Sequence, residues 1–210
     1  MKERNAQIVL GILYAVGCVG YLSSYAYQFS RLTCLNLLIS ICIIFYFQPL
    51  KDAKFYFIAF SIYFISFCTE IIGVNTGLFF GNYAYGEILG IQFLKTPLVI
   101  GINWLLLTYC TAAFCSQIFY STKFKNYIPL VAALLMVSLD VLIEPVAQKY
   151  DLWHWEQGYA PLKNYAHWFV LSFVLQYLLF LTIGKIENKI GKFVFFLQYI
   201  FFLILFIFLK

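Results

Sequence analysis

Three carboxylic acids stand inside or at the ends of apolar stretches of this chain. Glu70 lies in Thr69-Glu70-Ile71-Ile72-Gly73, and Asp140 and Glu144 lie in Asp140-Val141-Leu142-Ile143-Glu144-Pro145. Asp140 and Glu144 are four residues apart, so on a helix they share one face. A charged side chain at mid-membrane costs about 2.5–3.5 kcal/mol on insertion scales, so an acid in such a place is a functional candidate. A carboxylic acid kept neutral in an apolar pocket is a proton donor, and a second carboxylate beside it can act as base. The structural alternative is snorkelling, or pairing with Lys95, Lys149 or Lys163. Function is favoured at Glu70 and Asp140, which read as an acid/base pair. At Glu144, at the end of its apolar run, the two readings stand level.

Other polar and aromatic groups cluster after each acid. Asn75-Thr76-Gly77 and Phe80-Gly81-Asn82-Tyr83-Ala84-Tyr85-Gly86 follow Glu70, and the next apolar run opens at Thr96-Pro97 and carries Asn103-Trp104. Trp153-His154-Trp155, Gly158, Pro161, Asn164 and His167-Trp168 follow Glu144. Asn75, Glu144 and Asn164 are candidates for holding a water molecule. Tyr83, Tyr85, Asn103, Trp104, Trp153, Trp155 and Trp168 are candidates for lining an apolar pocket, where aromatic faces can shield a cation. His154 is a minority candidate for shuttling protons, because Trp-His-Trp reads first as an interfacial aromatic belt. No Ser-His-Asp set, phosphate-cradling Gly loop, metal-ligand spacing or Asp-rich diphosphate motif is present, so neither metal nor cofactor is expected.

The two clusters echo each other in order: acid, aromatic-x-aromatic, Gly, Pro, Asn, Trp. The first gives Glu70, Tyr83 and Tyr85, Gly90, Pro97, Asn103 and Trp104. The second gives Glu144, Trp153 and Trp155, Gly158, Pro161, Asn164 and Trp168. The spacings differ, so the repeat is weak, and coincidence in an aromatic-rich chain accounts for it equally well. If real, it is a parallel repeat of helical hairpins about an axis normal to a membrane.

The elements that position these residues follow from composition. Of 210 residues, 63% are hydrophobic and 11% charged, against roughly 45–50% and 25% in soluble domains. That excludes disorder, a coiled coil, a nucleic-acid-binding domain and an ordinary cytosolic enzyme. It leaves a single integral-membrane domain over 1–210, with its motif-bearing core at about 70–170. Apolar runs fall at roughly 6–27, 32–47, 55–72, 97–119, 127–143, 165–183 and 192–209. Lipid forces backbone polar groups to pair internally, and these runs lack the period-two alternation of barrel strands. The fold class is therefore an all-α polytopic membrane protein of about seven transmembrane helices. The run 32–47 is the shortest. The first run lacks a clear cleavage site and reads as a retained helix.

Nine of the 14 Lys and Arg fall on the N-terminal side of this topology and five, Lys210 among them, on the other. This places the N-terminus inside, in a bacterial inner membrane. Six of nine acids gather around the two long loops, about 73–96 and 144–164. Two spans separate these loops, so they emerge on one face and suggest one shared site. The six cysteines lie in apolar runs without metal spacing and read as fillers.

At these residues the chain resembles the carotenoid biosynthesis membrane family that includes bisanhydrobacterioruberin hydratase and the CruF-type carotenoid 1,2-hydratases. The matching stretches are Glu70 to Gly73 through Gly77, Gly81 to Tyr85, Gly90 with Pro97 and Trp104, Asp140 to Pro145, Trp153-x-Trp155, and Pro161 through Asn164 to Trp168. Phe79 and Glu144 depart from it, standing where the family often has Pro and Asp, and the segment before Pro161 looks shortened. The resemblance implies a hydratase that adds water to a terminal double bond of an acyclic or monocyclic carotene taken from the bilayer. Such a reaction needs an acid and a shelter for a tertiary cation, but no redox cofactor. The alternatives are a carotenoid cyclase, which begins with the same protonation, and a non-catalytic carotenoid-binding or transport protein. Carotenoid and membrane lipid are the expected partners, and nucleic acid is not one.

Overall fold

The structure is a computed structural model that describes residues 2–49 and 51–208. Lys210, counted above for topology, and the end of the last apolar run at 209 lie outside the described residues.

Every apolar run forms a helix. In chain order these are α1 (Glu3–Tyr21), α2 (Ala26–Ser30), α3 (Thr33–Tyr46), α4 (Ala53–Thr76), α5 (Val99–Phe119), α6 (Ile128–Lys149), α7 (Leu162–Ile183) and α8 (Lys189–Ile207). Four short strands join them: β1 (Tyr83–Tyr85), β2 (Gln92–Phe93), β3 (Thr96–Pro97) and β4 (Trp153–Trp155). Among the described residues, six segments are long and apolar enough to cross a membrane, against about seven expected, and α1 is not one of the six. The chain is an all-α polytopic membrane protein.

Two details differ from the sequence reading. The run at 32–47 yields a 14-residue helix, α3, which at 1.5 Å per residue rises roughly 21 Å and falls short of a 30 Å hydrocarbon layer. The short helix α2 makes up the difference, so that Ala26–Tyr46 together have spanning length. The run at 127–143 does not stop before Pro145. α6 carries Pro145 in its interior and continues to Lys149. Proline removes one backbone donor and leaves one carbonyl unbonded, a defect that membrane helices accommodate. Consequently the second long loop is shorter than expected, and Glu144 sits within a helix rather than at its end.

α5 is the hub. Nearly every residue from Trp104 to Ala113 is buried, and α3, α4, α6, α7 and α8 pack around it. A helix that is apolar on all sides belongs in the middle of a bundle. α6 packs along α7, and α1 packs along α8.

The two long loops meet at one end of the bundle. β1 and β4 pair antiparallel, with Tyr83 opposite Trp155, Ala84 opposite His154 and Tyr85 opposite Trp153. α4 ends at Gly77, whose φ of +65° is a left-handed cap that glycine adopts without penalty. At Gly86 a side chain would put Cβ 2.1 Å from the Asp151 carbonyl oxygen. Only glycine lets the two loops close this tightly. Asn82 clasps the junction further, its Nδ2 donating to Glu156 Oε2 at 2.8 Å. Lys163 donates from Nζ to the Gly77 carbonyl at 2.9 Å.

Candidate functional site

Each long loop folds back over the carboxyl of the helix it leaves. Glu70 is 4% exposed. Its Oε2 accepts from the hydroxyls of Tyr83 at 2.5 Å and Tyr85 at 2.8 Å, and its Oε1 accepts from Trp104 Nε1 at 2.8 Å. Residues two apart on a strand point to the same face, which is why Tyr-x-Tyr delivers both hydroxyls to one acid. Burial pushes both phenols well above their ordinary value, and Glu70 beside them adds to it. They therefore stay protonated and remain donors.

Glu144 is held in the same manner. Its Oε2 accepts from Trp153 Nε1 at 3.0 Å and Trp155 Nε1 at 2.6 Å. Its Oε1 accepts from Asn164 Nδ2 at 3.2 Å. The same Asn164 nitrogen donates to Asp140 Oδ2 at 2.9 Å. Asp140 is wholly buried, and its other oxygen, Oδ1, has no hydrogen-bonding partner. None of the three ion pairs among the described residues involves these acids.

The two acids face one small chamber of about 20 Å³, lined by Glu70, Glu144, Asn103 and Asn164 together with aromatic walls. That is room for about one water molecule, with polar partners around it. Trp104 and Trp168 stack at 4.1 Å, and Tyr83 lies 5.1 Å from Trp155. Phe80, fully buried, closes the wall beside Trp104. Asp140 stands one turn behind Glu144 and does not line the chamber.

The chamber thus brings together Glu70, Tyr83, Tyr85, Asn103, Trp104, Glu144, Trp153, Trp155, Asn164 and Trp168, all candidates on sequence grounds. Three candidates fall outside the chamber: Asp140, expected to pair with Glu70 as acid and base, lies behind Glu144, and Asn75 and His154 face elsewhere. Asn75 is exposed and donates to the carbonyls of Ile71 and Leu94, tying the loop to its helix. His154 is exposed and pairs with Asp151. Strand alternation explains it: in Trp153-His154-Trp155 the tryptophans turn inward and the histidine outward. Glu144 corrects in the other direction. It is buried at 5% exposure, whereas a helix end near water was expected. Phe80 and Ile100 were not singled out, and among so many aromatic and aliphatic residues no signal of type distinguishes them.

Residues 32–209, most of the chain, match the family model described as carotenoid biosynthesis protein. No curated protein and no solved structure matches the chain.

Proposed function

The chain belongs to the carotenoid biosynthesis protein family, and from that premise we propose that it is a cofactor-independent carotenoid hydratase. The observation that carries this reading is the water-sized chamber lined by a carboxyl group from each of two helices, α4 and α6, between aromatic walls. Adding water to an unactivated trisubstituted alkene needs a proton source, a shelter for the tertiary cation and one positioned water.

The Asp140–Glu144 pair supplies the proton in this reading. Two carboxyls on one helix face, bridged by a single amide nitrogen of Asn164, are a natural place to hold one. Glu144, the member that faces the chamber, transfers the proton to the terminal carbon of the double bond. The π electrons form the new C–H bond, and a cation is left on the tertiary carbon. Trp104, Trp168, Tyr83 and Trp153 line the chamber and supply the π faces that would shelter it. Water in the chamber attacks the cation and forms the C–O bond. Its extra proton passes to Glu70, which accepts three donors and is set up as the base. The net change is alkene plus water to tertiary alcohol, and proton return between the acids resets the site.

In this topology the N-terminus is inside, so the chamber lies toward the outer face of a bacterial inner membrane. The test is expression in a lycopene-producing host with mass analysis of the pigments. A product heavier by one water per reacted end is the expected result. A product of unchanged mass but altered ring content would make the chain a cyclase. Unaltered pigment retained by the protein would make it a binding or transport protein.

A further inference from the structure

A second space adjoins the chamber. A largely apolar groove of about 170 Å³ runs between α1, α3 and α8 toward α5. Its mouth is formed by Val16, Leu32 and Leu35, each at least half exposed. α1 packs chiefly on α8 and meets α3 only briefly, so the mouth opens sideways, where lipid would lie. Its inner end is formed by Ile100, Asn103 and Trp153. The same three residues line the carboxylate chamber. The two spaces therefore adjoin across these side chains, an apolar one opening to lipid and a polar one closed around the acids.

Size decides what each can hold. A dry cavity of about 150 Å³ admits a benzene-sized molecule, so the groove takes roughly one isoprene unit. The chamber, at about 20 Å³, takes water and not hydrocarbon. We propose that this groove receives the end of a linear polyene directly from the bilayer, and that Ile100, Asn103 and Trp153 mark where its terminal double bond stops. This rests on the hydratase reading for the chemistry, but not for the binding. A linear end group fits a groove of this kind. The acids then reach only the last double bond of a chain that carries many.

Gly17 gives a handle on it. Gly17 lines the groove, and a Cβ there would stand 3.5 Å from Phe201, in ordinary contact. That Cβ meets a side chain and no backbone atom, so the position accepts a side chain pointed at the groove wall. Leu35 offers the same opportunity from the opposite wall.

The experiment uses the full-length protein in lipid vesicles with a linear isoprenoid hydrocarbon carrying a diazirine near one end. After irradiation, the labelled peptides are identified by mass spectrometry. Labels should fall within residues 13–37 and 198–202 and at Ile100, Asn103 or Trp153. Gly17→Leu and Leu35→Trp should each lower that labelling about tenfold or more, since a blocked apolar pocket loses affinity on this scale. Val170→Leu, on the exposed side of α7, should leave it unchanged. Labels confined to other segments, or labelling unaffected in both groove variants, would overturn the proposal. Water addition is measured alongside. A labelled groove in a protein that adds no water keeps the groove and removes the hydratase reading. Normal hydration in both blocked variants removes the groove and keeps the chemistry.

Discussion

The hairpin α4–β1–α5 and the hairpin α6–β4–α7 hold their glutamates by the same device and differ one helical turn deeper. In each, the acid near the end of the first helix is gripped by two aromatic donors from the following strand. In each, a third donor comes from the second helix: Trp104 for Glu70, and Asn164 for Glu144. β1 and β4 pair with Ala84 opposite His154 at the centre, and Trp104 stacks on Trp168. Both contacts join like parts of the two hairpins, as a two-fold repeat requires. The difference is local. Four residues before Glu70 stands Ser66, whose hydroxyl turns back to the Ile62 carbonyl at 2.8 Å. Four residues before Glu144 stands Asp140. Four residues before Trp104 stands Ile100, and four before Trp168 stands Asn164. The shared device holds a carboxylate. Only the second hairpin adds a second carboxyl and an amide to bridge it, so only that one is equipped to store a proton.

Substitutions at the two glutamates should have the largest effects. Glu144→Gln and Glu70→Gln keep size and the hydrogen bonds accepted by one of the two oxygens, but cannot transfer a proton. Each should slow hydration by about 10²–10⁴-fold, the usual weight of a general acid or base, with the protein still inserted. Pigment formation in membranes carrying equal amounts of protein is the measurement. Near-normal product from Glu144→Gln would break the assignment of acid to the second hairpin.

Asp140→Ser makes the second hairpin resemble the first at the one position where their acids differ. If Asp140 stores the proton, hydration should fall about 10²-fold while Glu144 stays in place. Asp140→Asn should behave alike. Activity above half of normal in both would mean that the buried acid is structural and the two hairpins are chemically equal.

Removing one donor from each side tests whether the grips are equivalent. Tyr85→Phe and Trp153→Phe each take one hydrogen bond from a buried carboxyl. Hydrogen bonds to charged groups are worth about 1.5–3 kcal/mol, so initial rates should drop about tenfold or more in both. A loss on one side only would show that one grip is ornamental.

The smallest effects concern the outer surface and pH. His154→Gln should change the rate less than about twofold, because strand alternation turns His154 away from the chamber. Tyr83 and Tyr85 have folded values raised above the unfolded value of about 10. Their protonated forms therefore stabilise the fold fully below about pH 10, and this contribution is lost as pH rises through the raised values. Ultraviolet titration should find these two phenols ionising after the exposed tyrosines. Ionisation together with them would mean that the chamber is open to water.

Much of the fold could be read in the chain. Runs of apolar residues in a medium without water must be helical, and every run is. The register of the aromatic pairs was also open to reading, since Trp-x-Trp and Tyr-x-Tyr suit a strand with one buried face. Glu144 was harder to place. Pro145 after it suggests a helix end, because proline disfavours helix in the residue before it. The packing of α6 against α7 carries the helix on to Lys149 and buries the acid.

The sequence by itself determined the membrane class, the helices and the three acids, because each depends on local composition and on the cost of polarity in hydrocarbon. It also determined that the two long loops emerge at one end, because two spans lie between them. Tertiary structure alone decided which donors reach which acid, that Asp140 keeps one oxygen unpartnered, and that Asn75 and His154 face away. It alone set the groove beside the chamber, with Ile100, Asn103 and Trp153 lining both. The reason is geometric. These facts depend on the direction of side chains from segments tens of residues apart, and direction is fixed only when helices pack and strands pair.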